Sequence, residues 1–196
     1  MPDNDRTPDL RQVRTTMTKF ETREADDGLH LSGYFAVFNQ VYEINSYMSE
    51  SIAPGAFASS LSNDVRALTN HDTTLVLGRT AAGTLQIRED EYGLWGDILI
   101  NPKDGDAVNT YERVLRGDVN QCSFGFEILS EEYTVRDDGG SHWTITDLRL
   151  HEVSVCTFPA YPTTSVSARS AQLEEIRRRS VTAQKERLKG VLAKWH

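Results

Sequence analysis

Three short segments carry side chains that do chemistry when brought together. In Leu68-Thr69-Asn70-His71-Asp72 a strand-like run ends in polar residues, so His71 stands at a strand end with Asp72 beside it. A histidine so placed reaches a groove while the sheet holds its backbone. A plain surface histidine at a strand end is the alternative. In Asn120-Gln121-Cys122-Ser123-Phe124-Gly125-Phe126, alternation puts Cys122, Phe124 and Phe126 on one apolar face and Ser123 and Gly125 on the other. A hydroxyl beside a glycine leaves backbone room for a ligand chain, which suits a nucleophile exposed in a cleft. A solvent-facing pair at a bulge is the plainer account. The third segment runs from Leu148 through His151, Glu152 and Cys156 to Pro162. Strict alternation puts Glu152 on the face of Leu148, Leu150 and Cys156, where a carboxylate needs a partner. That partner is an imidazole or, in the structural alternative, an arginine. His151 points the other way, with Arg149 and Val153, as an ordinary histidine.

Together these segments supply a nucleophile (Ser123), a base (His71) and an orienting carboxylate (Glu152), the set that activates serine. Their order, His then Ser then carboxylate, matches none of the three common serine-hydrolase orders, and Ser123 lacks the Gly-x-Ser-x-Gly elbow. Three other readings compete. A catalytically silent assembly protein would leave His71 and Ser123 incidental. A metal hydrolase would use His71, Asp72, His151 and Glu152, whose spacing fits no strong metal motif. A Cys122 nucleophile is disfavoured by its inward position. The sequence calls for no cofactor and no metal.

The elements that must position these residues are mostly short strands. Residues 29–38, 65–70, 75–79, 84–88 and 93–100 read as strands separated by Gly, Asp or Asn. Ser51 to Gly55 reads as a turn, and Ala56 to Leu61 as one or two helical turns. A helix is expected after Asn101-Pro102-Lys103-Asp104, with Val108, Tyr111, Val114 and Leu115 on one side and Gly117 as its stop. Strands resume at 122–129, 133–136, 143–150 and 153–158, with Asp137-Asp138-Gly139-Gly140 as a hairpin turn. The fold expected is mainly β with a few helices, an α+β protein built on a small, mostly antiparallel barrel.

The chain has 196 residues, two of them cysteine, and a net charge of -8. The cysteine count excludes a disulfide scaffold and a four-cysteine zinc site. The charge argues against general nucleic-acid binding, and no run is apolar enough to span a bilayer. The N-terminal twelve residues lack a secretory pattern, so cytosolic synthesis is expected. Residues 170–196 carry seven basic and three acidic side chains, so a tail of +4 follows a body of -12. Three parts are expected: a flexible arm over 1–15, a catalytic domain over 16–169, and a basic amphipathic helical tail over 170–196.

An Asn-His-Asp segment, a Ser-Phe-Gly-Phe strand about fifty residues on, and Glu152-Val153-Ser154-Val155-Cys156-Thr157-Phe158-Pro159-Ala160-Tyr161-Pro162 closely resemble the prohead proteases of tailed bacteriophages. These are distant relatives of the herpesvirus capsid protease, assemblin. The likeness runs from about Tyr34 to Val166 and includes Gly33 to Phe38 and Ile52 to Phe57. It implies a serine endopeptidase of capsid assembly, with Ser123 as nucleophile, His71 as general base and Glu152 in the third position, where assemblin has a second histidine. His151 stays a rival for that place. It also implies a barrel-like sheet ringed by helices. Capsid or scaffold precursor and the chain itself are the expected substrates, inside the prohead in the host cytoplasm. Homo-oligomerisation is open, and no nucleic-acid or membrane partner is expected. Oxyanion donors are expected in the loop after Phe158, where Pro159 and Pro162 supply none.

Overall fold

The computed structural model describes residues 12–16, 20–158, 173–176, 178, 179, 181, 182, 185 and 186. The chain divides into two compact units, Met1–Ala160 and Tyr161–His196. Within the second unit residues 173–176 are helical, and Glu175 pairs with Arg178 and Arg179. Residues 178, 179, 181, 182, 185 and 186 are helical as well; the other residues of the expected tail, and the Pro159 to Pro162 segment, lie outside the described residues.

The first unit holds two sheets. One has strands β2 (Glu21–Ala25), β3 (Gly28–Val37), β9 (Gly93–Ile100) and β8 (Leu85–Glu89) in the order β2-β3-β9-β8, all antiparallel. The other has β1 (Gln12–Thr16), β10 (Gln121–Val135), β11 (Ser141–Cys156), β5 (Met48–Ile52) and β4 (Tyr42–Asn45) in that order. It also includes β6 (Arg66–Thr69), which pairs with β11 and with β7 (Asp72–Arg79). Both sheets contribute to one apolar core, with Leu31, Phe35, Leu94 and Ile98 from the first and Phe124, Phe126, Leu150 and Val153 from the second.

Mainly β with few helices is therefore the architecture. The expected barrel differs in two respects. Among the described residues no pairing joins the two sheets into a closed barrel. β11 also runs parallel to both β5 and β6, so the second sheet is mixed rather than antiparallel throughout. A ring of helices is likewise not seen among the described residues of the first unit, where one α-helix and two short 3-10 turns stand among eleven strands.

β10 and β11 are single long strands where the sequence suggested four. Their register slips at three points, so the apparent breaks are bulges inside a continuous hairpin. Ser51 and Ile52, expected in a turn, close β5. Residues 12–15, expected in the arm, belong to β1, which pairs with β10.

The helix α1 (Gly105–Arg116) follows its sequence signals. The Asp104 side chain caps it by accepting from the backbone N–H groups of Asp106 and Ala107. Gly117 ends it at φ 84°, a left-handed position that suits glycine. Thr110 of α1 lies 3.3 Å, hydroxyl to hydroxyl, from Thr69, the last residue of β6. That contact braces the strand end that carries His71.

Candidate active site

His71 comes from a two-residue turn. Thr69 pairs with Asp72 across β6 and β7, leaving Asn70 and His71 as the loop. Both have positive φ, 52° and 62°. Two left-handed residues in a row make the tight hairpin that matches strand twist, a place where Asn-Gly is the usual pair. Histidine there costs more than glycine, because its Cβ crowds the backbone. Asn70 offsets part of the cost by tying the loop to the end of β11. Its N–H donates to Val155 O at 2.9 Å, and its Oδ1 accepts from Thr157 N at 2.9 Å.

The turn delivers the imidazole to Glu152. His71 Nδ1 lies 2.6 Å from Glu152 Oε1, and both side chains are largely buried. Ser154 completes the arrangement: its hydroxyl donates to Glu152 Oε2 at 2.5 Å and accepts from His71 N at 3.3 Å. The other ring nitrogen, Nε2, lies 3.7 Å from Cys156 Sγ. The ring thus reaches from Glu152 to Cys156 and passes Ser154 between them.

The face that Glu152 occupies differs from strict alternation. Gly125 pairs with Glu152, but the next residue, Phe126, pairs with Leu150, so His151 is the extra residue of a bulge. Before the bulge Leu148 and Leu150 enter the core; after it Val153 and Val155 do. Glu152, Ser154 and Cys156 therefore share the opposite face, and Glu152 is not beside Leu148 and Leu150. His151 lies against Glu127, Nε2 to Oε1 3.2 Å, together with Arg149. The contact to His71 is made by Glu152, not by His151.

Ser123 sits on the same face, directly across from Ser154 in the β10–β11 register. Paired strand positions stand roughly 5 Å apart at Cβ, so Ser123 adjoins Ser154, which bonds the Glu152 carboxylate, while its own hydrogen bonds run to β1 and not to His71. It is fully buried rather than exposed in a cleft. Its hydroxyl donates to Arg14 O at 2.7 Å and accepts from Thr15 Oγ1 at 3.3 Å. Gly125 makes room on this face, but for the Glu152 carboxylate and not for a ligand chain.

The rival chemistries are dispersed. Asp72 turns back to accept from Thr74 N and Thr74 Oγ1, bonds that hold its carboxyl below the usual range. His71, Asp72, His151 and Glu152 do not converge, and no group of three or more His, Cys, Asp or Glu that could hold a metal occurs among the described residues. Cys122 is in the core. Burial, and then the Glu152 charge, push the Cys156 thiol up to about 12, so it stays protonated although it touches His71. Ser154 was missed by sequence reasoning; its place between Glu152 and Cys156 was the available signal.

A mainly β unit with a histidine–carboxylate pair and a buried serine on one sheet face has the makings of a serine hydrolase. Comparison with known proteins makes the class specific. The chain belongs to the caudovirus prohead serine protease family, whose model matches residues 18–179. It is therefore a serine protease. The match extends past the expected limits at both ends, including ten residues of the basic tail. The chain is 29% identical over 163 residues to the prohead protease of Enterobacteria phage HK97, covering 81% of this chain and 70% of that protein. It is also similar to the solved bacteriophage T4 capsid assembly protease, with a TM-score of 0.49 and 11% identity over 76% of this chain and 98% of that one. Among the described residues no helix is long and apolar enough to cross a membrane.

Proposed function

We propose that this protein is a serine endopeptidase that cuts scaffold or capsid precursor, and itself, as the prohead forms in the host cytoplasm. Its nucleophile is Ser123, its general base is His71, and Glu152 fixes the base. The single observation that carries the reading is the 2.6 Å contact of His71 Nδ1 with Glu152, because it makes Nε2, which faces the Cys156 thiol, the nitrogen that takes a proton. His71 Nε2 takes the Ser123 hydroxyl proton as Oγ bonds to the scissile carbonyl carbon. The same proton then passes to the amide nitrogen as the C–N bond breaks, leaving an acyl-enzyme. A water that loses its proton to Nε2 attacks the ester, and Ser123 recovers its hydrogen. Glu152 stabilises the imidazolium in each half-reaction.

The kinship with assemblin is part of this reading and is carried by the sequence motifs, not by strand order. The test is co-expression with the neighbouring capsid gene product, followed by mass spectrometry of the products. Ser123→Ala should fold and leave the precursor uncut. Cleavage by Ser123→Ala at the wild-type rate sinks the assignment. The basic tail is read as a docking segment for the growing shell. Removal of residues 170–196 should spare peptide cleavage and impair incorporation into proheads.

A further inference from the structure

β10 has a second edge beside Ser123, opposite the one that β11 occupies. There β1 adds as an antiparallel strand, with Arg14 facing Phe124 and Thr15 facing Ser123. Strand addition of this kind takes affinity from the main chain and selectivity from alternate side chains. The side chain selected here is Arg14. It is 6% exposed, and its Nε and Nη2 both donate to the carboxylate of Glu50, the latter at 2.8 Å. Its guanidinium carbon stands 5.6 Å from the centroid of the Phe126 ring. Glu50 is fully buried in β5. A carboxylate taken wholly out of water requires a cation, and two-pronged donation is the geometry that suits arginine.

We propose that this edge of β10, with Glu50 at its floor, is a subsite for an extended segment bearing an arginine or lysine, and that Gln12–Thr16 occupies it in cis. What occupancy does to the reaction rests on Ser123 being the nucleophile; the binding does not. The basic residue and the carbonyl that stands at Ser123 Oγ are one and the same, since Arg14 supplies both. Glu50 therefore selects which carbonyl of a substrate is presented to the hydroxyl. In the resting chain Gln12–Thr16 holds that hydroxyl on the β1 side of β10, while His71 waits on the β11 side. A substrate segment must displace β1 to be cut.

The experiment uses the full chain with Ser123→Ala, so that chemistry is off, and Arg14→Glu, which sets a carboxylate against Glu50 and vacates the edge. A fluorescent peptide with the sequence of residues 12–16 is titrated and its anisotropy read. Saturable binding is expected, weakened at least tenfold when the peptide arginine is replaced by glutamate and at least tenfold by Glu50→Gln. Equal binding of the two peptides overturns the proposal. Amide exchange gives a second reading that needs no added ligand. Residues 13–16 and 122–126 should exchange faster together in Arg14→Glu, stay protected in Arg14→Lys, and leave β3 and β9 unchanged. Unchanged protection of 122–126 in Arg14→Glu, with β3 and β9 intact, also overturns it. If Ser123→Ala cleaves precursor, the nucleophile reading falls and peptide binding stands. If the peptides are not distinguished, the subsite falls and the cleavage test stands.

Discussion

Glu152 fills the space that a side chain on Gly125 would take. A Cβ built on Gly125 lies 2.4 Å from Glu152 Oε1 and 3.1 Å from its carboxyl carbon. The two residues are paired across β10 and β11, and the atoms met are the far end of the Glu152 side chain, so the carboxylate is what must move. Gly125→Ala should therefore push the carboxylate off His71. Misplacement by about 1 Å typically costs on the order of a hundredfold in rate, and overpacking of this kind costs about 1–3 kcal/mol in stability. Steady-state cleavage and a urea titration on the same variant check both figures; a fully active Gly125→Ala would show that Glu152 does not need its place.

Ser154 is expected to matter through Glu152. Ser154→Ala removes the 2.5 Å hydrogen bond to Oε2 and the acceptor for His71 N. Bonds to charged groups are worth about 1.5–3 kcal/mol, so kcat should fall about tenfold or more with KM little changed. Glu152→Gln should cost more, on the order of 10²- to 10⁴-fold, because an amide no longer stabilises the imidazolium. Equal losses in the two variants would place both in one inseparable network; a larger loss in Ser154→Ala would contradict the proposed roles.

The left-handed conformation of His71 gives a stability test that is separate from catalysis. His71→Ala and His71→Gly both lack the imidazole and should be equally inactive. They differ in backbone strain at φ 62°. The glycine variant should be the more stable by about 1 kcal/mol, read as a higher urea midpoint. An identical midpoint would mean that the turn relaxes without cost.

Cys156 sets a pH dependence. Burial first, and Glu152 second, raise its thiol to about 12. The folded state thus holds this proton more tightly than the unfolded chain, whose thiols titrate near 8.5. The linked stability is present below the unfolded value and is lost as pH rises toward the folded one, at roughly 1.4 kcal/mol per pH unit. Between pH 8.5 and 10 the wild type should lose more stability than Cys156→Ala. Native Cys156 should also resist alkylation at pH 8.5, where burial keeps its thiol protonated.

The elements and the chemistry were legible to different depths. β9 and α1 were readable to within a residue or two, because turn residues and caps bracket them. His71, Ser123 and Glu152 were legible as residue types, and the pairing of His71 with Glu152 was anticipated. The face of Glu152 was not, because a bulge at His151 shifts alternation by one and leaves no mark in the residue types. β5 was hidden because Met48 to Ile52 is buried on both faces and mixes polar with apolar residues, so it lacks a period-two signal. The burial of Ser123 depends on β1, a strand more than a hundred positions away. No local pattern encodes such a partner.

The parallel pairing of β6 with β11 has a consequence for timing. Arg66 to Thr69 align with Glu152 to Val155, so His71 meets its carboxylate only after 81 further residues have been made. Contacts this distant in sequence form late, since loop closure precedes any reward. A ribosome-bound chain that has not yet presented β11 has the histidine and the serine but no site. Until β11 has been made, the His71 ring has no carboxylate at its Nδ1, so the proposed base gains its orienting partner only near the end of synthesis.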